Sequence, residues 1–181
     1  GASVFERGRR VRAASQALRF PGVGVVDADD EVWLLARRAM QSLDSAPRWG
    51  TVVHRIGAEA ARTMAMLGAN VVLADLSATG EAVAEAIRQA GGSAHFVPVD
   101  IGTEAGVAAL VASAERRFGA IDGVLNSAAR LKMDTVVDGA IDDWDQTYSA
   151  NLRGPVLLAK HTLPGMLARG RGTFMSLISL E

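Results

Sequence analysis

Gly57 and Asp75 have the spacing of a dinucleotide-binding βαβ unit. In such units a glycine lies at the start of the first helix, and an acid about 20 residues later accepts hydrogen bonds from the adenosine ribose. Asp75 follows the apolar run from Val71 to Ala74 and stands eighteen residues after Gly57. A carboxylate at this place favours NAD over NADP, because it repels the extra phosphate of NADP. The alternative interpretation is an acid that caps the helix after the strand.

The histidines and cysteines limit metal chemistry. His54, His95 and His161 are scattered along the chain, and none lies at ligand spacing from an acid on the same element. The sequence contains no cysteine, which excludes disulfides, thiolate nucleophiles and cysteine-ligated zinc within it. We therefore expect no metal site, and we interpret each histidine as a surface or structural residue.

The composition is that of one globular domain. With 181 residues, 49% of them hydrophobic, the chain is long enough for one α/β domain with an apolar core. The formal net charge of -1, and the lack of a basic run alternating with aromatic residues, argue against nucleic acid as a partner. No signal peptide or long apolar span is found in the sequence, so we expect no membrane association and a cytoplasmic location.

Residues 1–47 are predicted to form an N-terminal helical extension to a domain at 48–181. Pro21 and Gly22 end a first short helix, and acids follow at 27–31. After the acids, apolar residues recur at helical spacing: Val32, Leu35, Ala39 and Leu43. This pattern predicts an amphipathic helix over residues 31–43 that lies on an apolar surface.

From residue 48 onward, strand and helix patterns alternate. Apolar strands are predicted at 50–53, 71–74, 94–99, 121–125 and 173–178. Helices are predicted at 58–67, 79–90, 103–118 and, with a bend near Gly154 and Pro155, at 142–167. Continuous apolar strands joined by helices of this length predict a parallel sheet with helices on both faces. We therefore expect an α/β fold, a Rossmann-like doubly wound parallel sheet of about five strands in a three-layer α/β/α arrangement.

Several segments in this order and spacing resemble the short-chain dehydrogenase/reductase family. They are GANVVLADL (68–76), AGGSAHFVPVD (90–100), RFGAIDGVLNSAA (117–129), WDQTYSANLRGPVLLAKHTLPGML (144–167) and GTFMSLIS (172–179). The resemblance covers about residues 50–179, which correspond to the N-terminal two-thirds of the family's usual domain. It implies an NAD-linked oxidoreductase that transfers hydride to or from an alcohol or carbonyl group of a small-molecule substrate.

The resemblance assigns cofactor contacts to residues at the ends of strands. Asp100 matches the acid that family members use against the adenine amino group, although as a strand-end aspartate it could also cap the helix at Thr103. Asn126 and Ala128 match the turn after the fourth strand, beside the cofactor ribose. Ala129 replaces a glycine of the family there, which narrows the approach of the backbone to the ribose. Structural support of the sheet is the alternative role for Asn126.

The resemblance supplies only part of a catalytic group. Asn151 matches the active-site asparagine, which lies in a helix kinked so that a backbone carbonyl can hold a water of the proton relay. Ser179 matches the serine that hydrogen-bonds the substrate carbonyl or hydroxyl. The family's acid is a tyrosine whose pKa is lowered by a lysine four residues later. Here the residue four positions after Tyr148, the only tyrosine, is leucine, and Lys160 is twelve residues away, about 18 Å along a straight helix.

Two functional hypotheses follow from the missing Tyr-x-x-x-Lys pair. The first is a dehydrogenase of this family that is inactive in hydride transfer as this chain alone. The second is a non-catalytic, degenerate Rossmann protein that binds or scaffolds another chain.

The phosphate-binding loop is degenerate in both possible alignments. Without gaps, Gly57 keeps the last glycine of the loop and Arg55 replaces the one before it; with a deletion, which we favour, residues 50–53 are the strand and the turn is His54 and Arg55. In both alignments the helix begins near Ile56, so that its N–H groups and the positive end of its dipole face outward. Either Arg55 and His54 bind phosphate by charge, or the nucleotide site has been lost.

The last strand, predicted at 173–178, should form an exposed apolar edge of the sheet, because the family's next strand is missing. We expect this edge to be covered by the helix at 31–43, by a second copy of the chain or by a partner chain. The long helix at 142–167 is where members of the family pair as dimers. We therefore expect a homo-oligomer or a complex with a partner.

Overall fold

The computed structural model describes residues 32–37, 49–132 and 134–177 of the chain. The strands are β1 (Val32–Arg37), β2 (Asn70–Asp75), β3 (Ser93–Pro98), β4 (Gly123–Asn126) and β5 (Thr173–Ser176). The helices are α1 (Trp49–Met66), α2 (Gly80–Gln89), α3 (Glu104–Phe118), α4 (Ile141–Tyr148) and α5 (Gly154–Arg169). A π-helical turn, Ser149–Arg153, joins α4 to α5.

The strands form one parallel sheet in the order β3-β2-β1-β4-β5. The chain proceeds outward from β1 to β3 on one side and then crosses to β4 and β5 on the other. The direction of winding therefore reverses between β1 and β4, which is the topological switch point of a doubly wound sheet. This arrangement confirms the predicted Rossmann-like α/β fold.

Each face of the sheet has its own apolar core. Successive side chains of a strand point to opposite faces, so Val71 and Leu73 belong to one core and Val72 and Ala74 to the other. Residues of α1 and α2 complete the first core: Ala58, Ala61, Ala65, Val83, Ala84 and Ile87. Residues of α3 and α5 complete the second: Val107, Leu110, Ala114, Leu157, Leu158 and Met166. Burial of a side chain such as Leu110 contributes roughly 2 kcal/mol, and the two cores together hold the three layers of the sandwich.

The central strand is where the sequence-based prediction fails. Val32–Arg37 is hydrogen-bonded to β2 on one side and to β4 on the other, so the helix predicted over 31–43 is wrong for these residues. A central parallel strand is a continuous apolar run, and a run of this length also satisfies helical spacing. Because β1 lies in the middle of the sheet, it cannot cover the edge strand β5. We propose that the domain begins at or before Val32 instead of at residue 48; the rest of residues 1–47 lies outside the described residues.

Helix α1 begins nine residues earlier than predicted. Residues 50–53, predicted as the first strand, lie in its first turns, and the helix begins at Trp49 instead of Ala58. Residues 51–53 include β-branched side chains, whose small helix penalty is overridden because β1 already fills the strand position beside β2. Gly68 follows the helix with a φ of 106°, a backbone conformation that suits the predicted left-handed end.

The π-helical turn interrupts the long helix predicted at 142–167. It lies at Ser149–Arg153, and Pro155 follows in the first turn of α5. A proline has no N–H, so Pro155 cannot donate to the carbonyl of Asn151 four residues earlier, as a regular α-helix would require. The irregular turn around Asn151 therefore has a local cause in the sequence.

In the described part of the chain, strand β5 is the outermost strand on its side of the sheet, as predicted, and its Met175 is exposed. Its register pairs Asn126, the last residue of β4, with Ser176. None of the helices in the described part of the chain combines the length and hydropathy that crossing a membrane requires.

Candidate functional site

The candidate site is the region at the carboxyl ends of β1 and β4, which we call the crevice. In open α/β sheets, ligands bind outside the carboxyl ends of the strands at the switch point. Here β1 ends at Arg37 and β4 at Asn126, and the strand register places Asp75 of β2 beside Arg37. The structure thus brings Asp75, Asn126 and, just after β3, Asp100 to the same edge of the sheet.

Asp75 closes the turn that follows β2. Its side chain is 1% exposed, and its Oδ1 accepts a hydrogen bond from the N–H of Ser77 at 2.9 Å. Helix α2 begins only at Gly80, with Thr79 as the residue before it, so Asp75 does not cap that helix. The contact is an Asx turn, which gives the carboxylate a structural role at the end of the strand.

Asp100 forms a similar turn after β3. Its Oδ1 accepts from the N–H of Gly102 at 2.9 Å, while the cap of α3 is provided by Thr103, whose Oγ1 accepts from the N–H of Gly106. The carboxylate of Asp100 therefore does not cap α3 itself. A Cβ added at Gly102 would overlap the Oγ of Ser149, so this turn packs directly against the π-helical turn.

Asn126 links β4 to the neighbouring strand and to its own loop. Its side chain is 1% exposed; Oδ1 accepts from the N–H of Ala128 at 3.2 Å and Nδ2 donates to the Oγ of Ser176 at 3.0 Å. Ser176, which we did not single out from the sequence, is thus the partner that joins β5 to the site. Both polar atoms of the Asn126 amide therefore bind other groups of the protein, and Ala128 is positioned through its backbone N–H.

Asn151 holds the loop after β4 from the opposite side. Its Oδ1 accepts from the backbone N–H of Arg130 at 2.7 Å, and its Nδ2 donates to the carbonyl of the same residue at 2.8 Å. Because the partners are one donor and one acceptor, they determine the orientation of the amide. The π-helical turn therefore anchors residue 130 by its backbone.

An ion-pair network surrounds the same loop. The Oδ1 of Asp143 accepts from Nη2 of Arg130 at 2.6 Å, and its Oδ2 accepts from Nζ of Lys132 at 2.9 Å. These hydrogen bonds, first from Lys132 and then from Arg130, hold the pKa of the Asp143 carboxyl below its ordinary value. Hydrogen bonds to Asp143 and Asp134 raise the pKa of Lys132. Sequence reasoning missed this network, because the partners are more than ten residues apart and leave no periodic signal.

Arg55 and Gly57 are not at the start of a helix. Helix α1 begins at Trp49, so Gly57 lies eight residues further on, about 12 Å along the axis. The prediction that N–H groups at Ile56 to Ala58 face outward at a helix end is therefore wrong; the free N–H groups of a helix belong to its first four residues. Residues 38–48, which separate β1 from α1 in the sequence, lie outside the described residues and contain no glycine.

The remaining candidates are Ser179, Tyr148, Lys160 and the histidines. Ser179 lies outside the described residues. Tyr148, at the end of α4, is exposed, while Nζ of Lys160 donates to Oε1 of Glu104 at 2.5 Å. His95 is hydrogen-bonded to Ser113. In the described part of the chain no three histidine, aspartate or glutamate side chains converge as metal ligands would.

Known proteins resemble this chain in both sequence and fold. A family model described as enoyl-(acyl carrier protein) reductase matches residues 52–181. The chain belongs to the short-chain dehydrogenase/reductase family. The oxidoreductase UcpA of Escherichia coli K12 is 33% identical to this member over 125 residues, 69% of the present chain and 48% of UcpA. An "inactive 2-(S)-hydroxypropyl-CoM dehydrogenase 2" of Xanthobacter autotrophicus is 33% identical over 116 residues, 64% of the present chain and 50% of that protein.

A solved structure agrees with the family assignment. The crystal structure of a short-chain dehydrogenase/reductase from Burkholderia xenovorans has a TM-score of 0.69 and 26% sequence identity, covering 83% of the present chain and 54% of the other. The chain spans about half the length of the relatives named here.

Proposed function

We propose that this chain carries the cofactor side of an NAD-linked short-chain dehydrogenase/reductase, which transfers hydride to or from an alcohol or carbonyl group of a small molecule. The observation that supports this function is the convergence of Asp75, Asp100 and Asn126 at one edge of the sheet, beside the switch point. As this chain alone it does not catalyse hydride transfer, because the sequence has no Tyr-x-x-x-Lys pair to deliver the proton.

The adenosine half of NAD fits the described residues better than the pyrophosphate half. Asp75 ends the strand next to β1, where a ribose hydroxyl would be bound. The stretch at 38–48 has no glycine, and glycines at that turn normally let backbone N–H groups reach the phosphates. Loss of two hydrogen bonds from backbone N–H groups to the charged phosphates, at about 1.5 kcal/mol each, would weaken NAD binding about a hundredfold. We propose a millimolar dissociation constant for NAD, with no part for Arg55 or Gly57 in binding the phosphates.

Residues of the chain itself have distinct roles in this proposal. Asp75 and Asp100 orient the adenosine, and Ala128 lines the ribose through its backbone. Asn151 fixes the loop after β4, while its own carbonyl, which Pro155 cannot bond, is the acceptor for a water. Ser179 would hydrogen-bond the substrate oxygen. NAD, when bound, supplies the hydride acceptor or donor.

Calorimetric titration with NAD and NADP tests the cofactor assignment. We expect weak NAD binding and no detectable NADP binding, because the Asp75 carboxylate repels the additional phosphate. Asp75→Asn keeps an acceptor for the N–H of Ser77 but removes the charge, so it should bring the two affinities within about threefold of each other. No heat with about 10 mM NAD would refute the cofactor proposal.

A kinetic assay tests the absence of hydride transfer. The chain should show no oxidation of NADH with a panel of ketones, followed at the NADH absorbance band. Turnover that is present in the parent chain and lost in Ser179→Ala would show that the chain is active and that our proposal of inactivity is wrong.

A second candidate function, a non-catalytic Rossmann scaffold, is favoured by one exposed helical face. Large apolar side chains recur every three or four residues from α4 into α5 and are exposed: Ile141, Trp144, Tyr148, Leu152 and Val156. Exposed apolar patches of this kind mark interaction surfaces. We propose that a second copy of the chain covers this face, and that the edge strand β5 is covered in the same assembly or by a partner.

Sedimentation tests the scaffold function. The chain should sediment as a dimer or larger assembly, and Leu152→Glu should shift it to the monomer by placing a charge in the apolar face. The matched control is Ala109→Glu, which adds the same charge at an exposed position of α3. A parent chain that is monomeric at high concentration would remove this function from consideration.

A further inference from the structure

The loop after β4, residues 127–132, is held by three separate groups. Asn126 binds the N–H of Ala128, Asn151 binds both backbone groups of residue 130, and Asp143 binds the side chains of Arg130 and Lys132. The first two side chains belong to the matched family pattern. The third, Asp143, is not part of any motif that we identified in the sequence.

We propose that Asp143 is a positioning residue for the crevice, which acts through Arg130 on the amide of Asn151. This inference rests on the proposed function, because it describes how the same crevice is shaped. Arg130 is held at two places: its guanidinium binds Asp143 of α4, and its backbone binds Asn151 of the π-helical turn. A loop held in this way presents Ala128 to the crevice in one conformation, whether or not a cofactor is bound.

The geometry favours Arg130 as the link between the two elements. Asp143 and Asn151 are eight residues apart, about 12 Å along a helix, a distance that one extended arginine can bridge. The side chains of Arg130 and Asp143 are only 18% and 21% exposed, whereas that of Lys132 is 42% exposed. The pair with Arg130 is therefore the better shielded from water, and we assign to it the larger share of the positioning effect.

The neighbouring acids provide a matched control. Asp142 and Asp145 lie on the same helix as Asp143, both are exposed, and neither forms an ion pair within the described residues. Asp143→Asn and Asp145→Asn therefore make the same chemical change and remove the same charge from α4. Only the first removes the carboxylate that binds Arg130.

The test is nuclear magnetic resonance on the cofactor-free chain, with two signals observed. One is the hydrogen exchange of the Arg130 amide, which donates to Asn151; the other is the resonance of the Asn151 side-chain amide. Asp143→Asn should speed exchange at Arg130 by about tenfold and shift the Asn151 resonance, because the loop then opens more often. Asp145→Asn should change neither signal, and Asp143→Glu, which keeps a carboxylate, should restore most of the protection.

Two further measurements make the outcome decisive. The amide of Val72, in strand β2 between β1 and β3, reports global stability and should be unchanged. If Asp143→Asn does not fold, Arg130→Gln provides the same test from the other partner and should shift the Asn151 resonance. Unchanged exchange and an unchanged Asn151 resonance in the folded variant would overturn the proposal. Failure to bind NAD would refute the proposed function. It would not affect the test of Asp143, because exchange and resonances are measured on the cofactor-free chain.

Discussion

The two sides of the switch point differ in how the connections that follow the carboxyl ends of β4 and β1 are built. On the β4 side, specific hydrogen bonds to Asn126, Asn151 and Asp143 hold the loop, and the tight turn at Asp100 packs against the π-helical turn at Ser149. On the β1 side, the connection to α1 has no glycine in its sequence. The two sides lie on different loops, so one can change without the other. The contacts that hold the loop on the β4 side are seen in the structure, whereas weakened phosphate binding on the β1 side is our proposal from the sequence.

The first and largest prediction concerns the β1 side itself. If Val32–Arg37 is the central strand, the backbone amide of Leu34 should exchange only through global unfolding, because central strands open last. We expect its protection to equal that of Val72 in β2 and to be slower than in a free peptide by about four orders of magnitude. Hydrogen exchange with residue-level detection measures both amides in one sample.

The control for this prediction is Val156, an exposed residue in α5. A surface helix over 31–43 would leave Leu34 with protection no greater than that of Val156. Such low protection of Leu34 would show that Val32–Arg37 is not a strand of the sheet, and the site could then not be placed at a switch point between β1 and β4.

Much of the fold could be predicted from the sequence, and the exception has a physical cause. Strands β2, β3, β4 and β5 were each predicted within about two residues, because each is a short apolar run between turn signals. Strand β1 was missed because its apolar run is followed by further apolar residues at helical spacing. The alternation of strand and helix patterns then predicted the first strand at 50–53, where the structure has a helix.

The candidate site was predictable only in part. Asp75, Asp100 and Asn126 could be found because strand ends in a parallel sheet share one edge, which the order of elements determines. The contacts of Asn151 and Asp143 with Arg130 join a loop to two later helical elements, and no local rule of spacing encodes such a contact. The start of α1 could not be predicted, because it depends on which segment fills the central strand.

On the β4 side, we expect Asn126→Ala to cause the largest loss of stability. The substitution leaves the buried N–H of Ala128 and the Oγ of Ser176 without their present partner, at about 1–3 kcal/mol for the unsatisfied group. We expect the free energy of unfolding in urea to fall by about 3 kcal/mol. Asn70→Ala, at the start of β2, is the control and should cost less than about 0.5 kcal/mol. Equal losses in the two variants would contradict the assigned role of Asn126.

A smaller loss should follow from crowding the contact beneath the π-helical turn. In Gly102→Ala the new Cβ overlaps the Oγ of Ser149, and forced repacking of this kind costs about 2 kcal/mol. The double variant with Ser149→Ala removes that oxygen and should recover at least half of the loss, because the two substitutions act on one contact. In Gly165→Ala, where the nearest atom is the flexible end of Arg169, no loss is expected. Additive losses in the double variant would mean that Gly102 matters for another reason.

The smallest effect should be the acid sensitivity of the contact between α3 and α5. A hydrogen bond from Lys160 is the main cause that lowers the pKa of Glu104 in the folded protein. A lowered pKa makes the carboxylate stabilising above the ordinary glutamate value of about 4.3, and this contribution disappears as the pH falls through the lowered pKa.

Glu104→Gln should therefore reduce stability slightly at neutral pH and flatten the loss of stability below about pH 4. Glu85→Gln is the control: the pKa of Glu85 is also lowered, mainly by a hydrogen bond from Arg88, but the hydrogen bonds that the structure shows for the Glu85 carboxylate stay within α2. Urea unfolding between about pH 6 and pH 3 measures both variants. If the two variants flatten the curve equally, the ion pair between α3 and α5 adds nothing to the β4 side beyond an ordinary helix surface. If Glu104→Gln flattens the pH dependence of the unfolding free energy more than Glu85→Gln does, the ion pair between α3 and α5 also stabilises the β4 side, in addition to the contacts of the loop after β4.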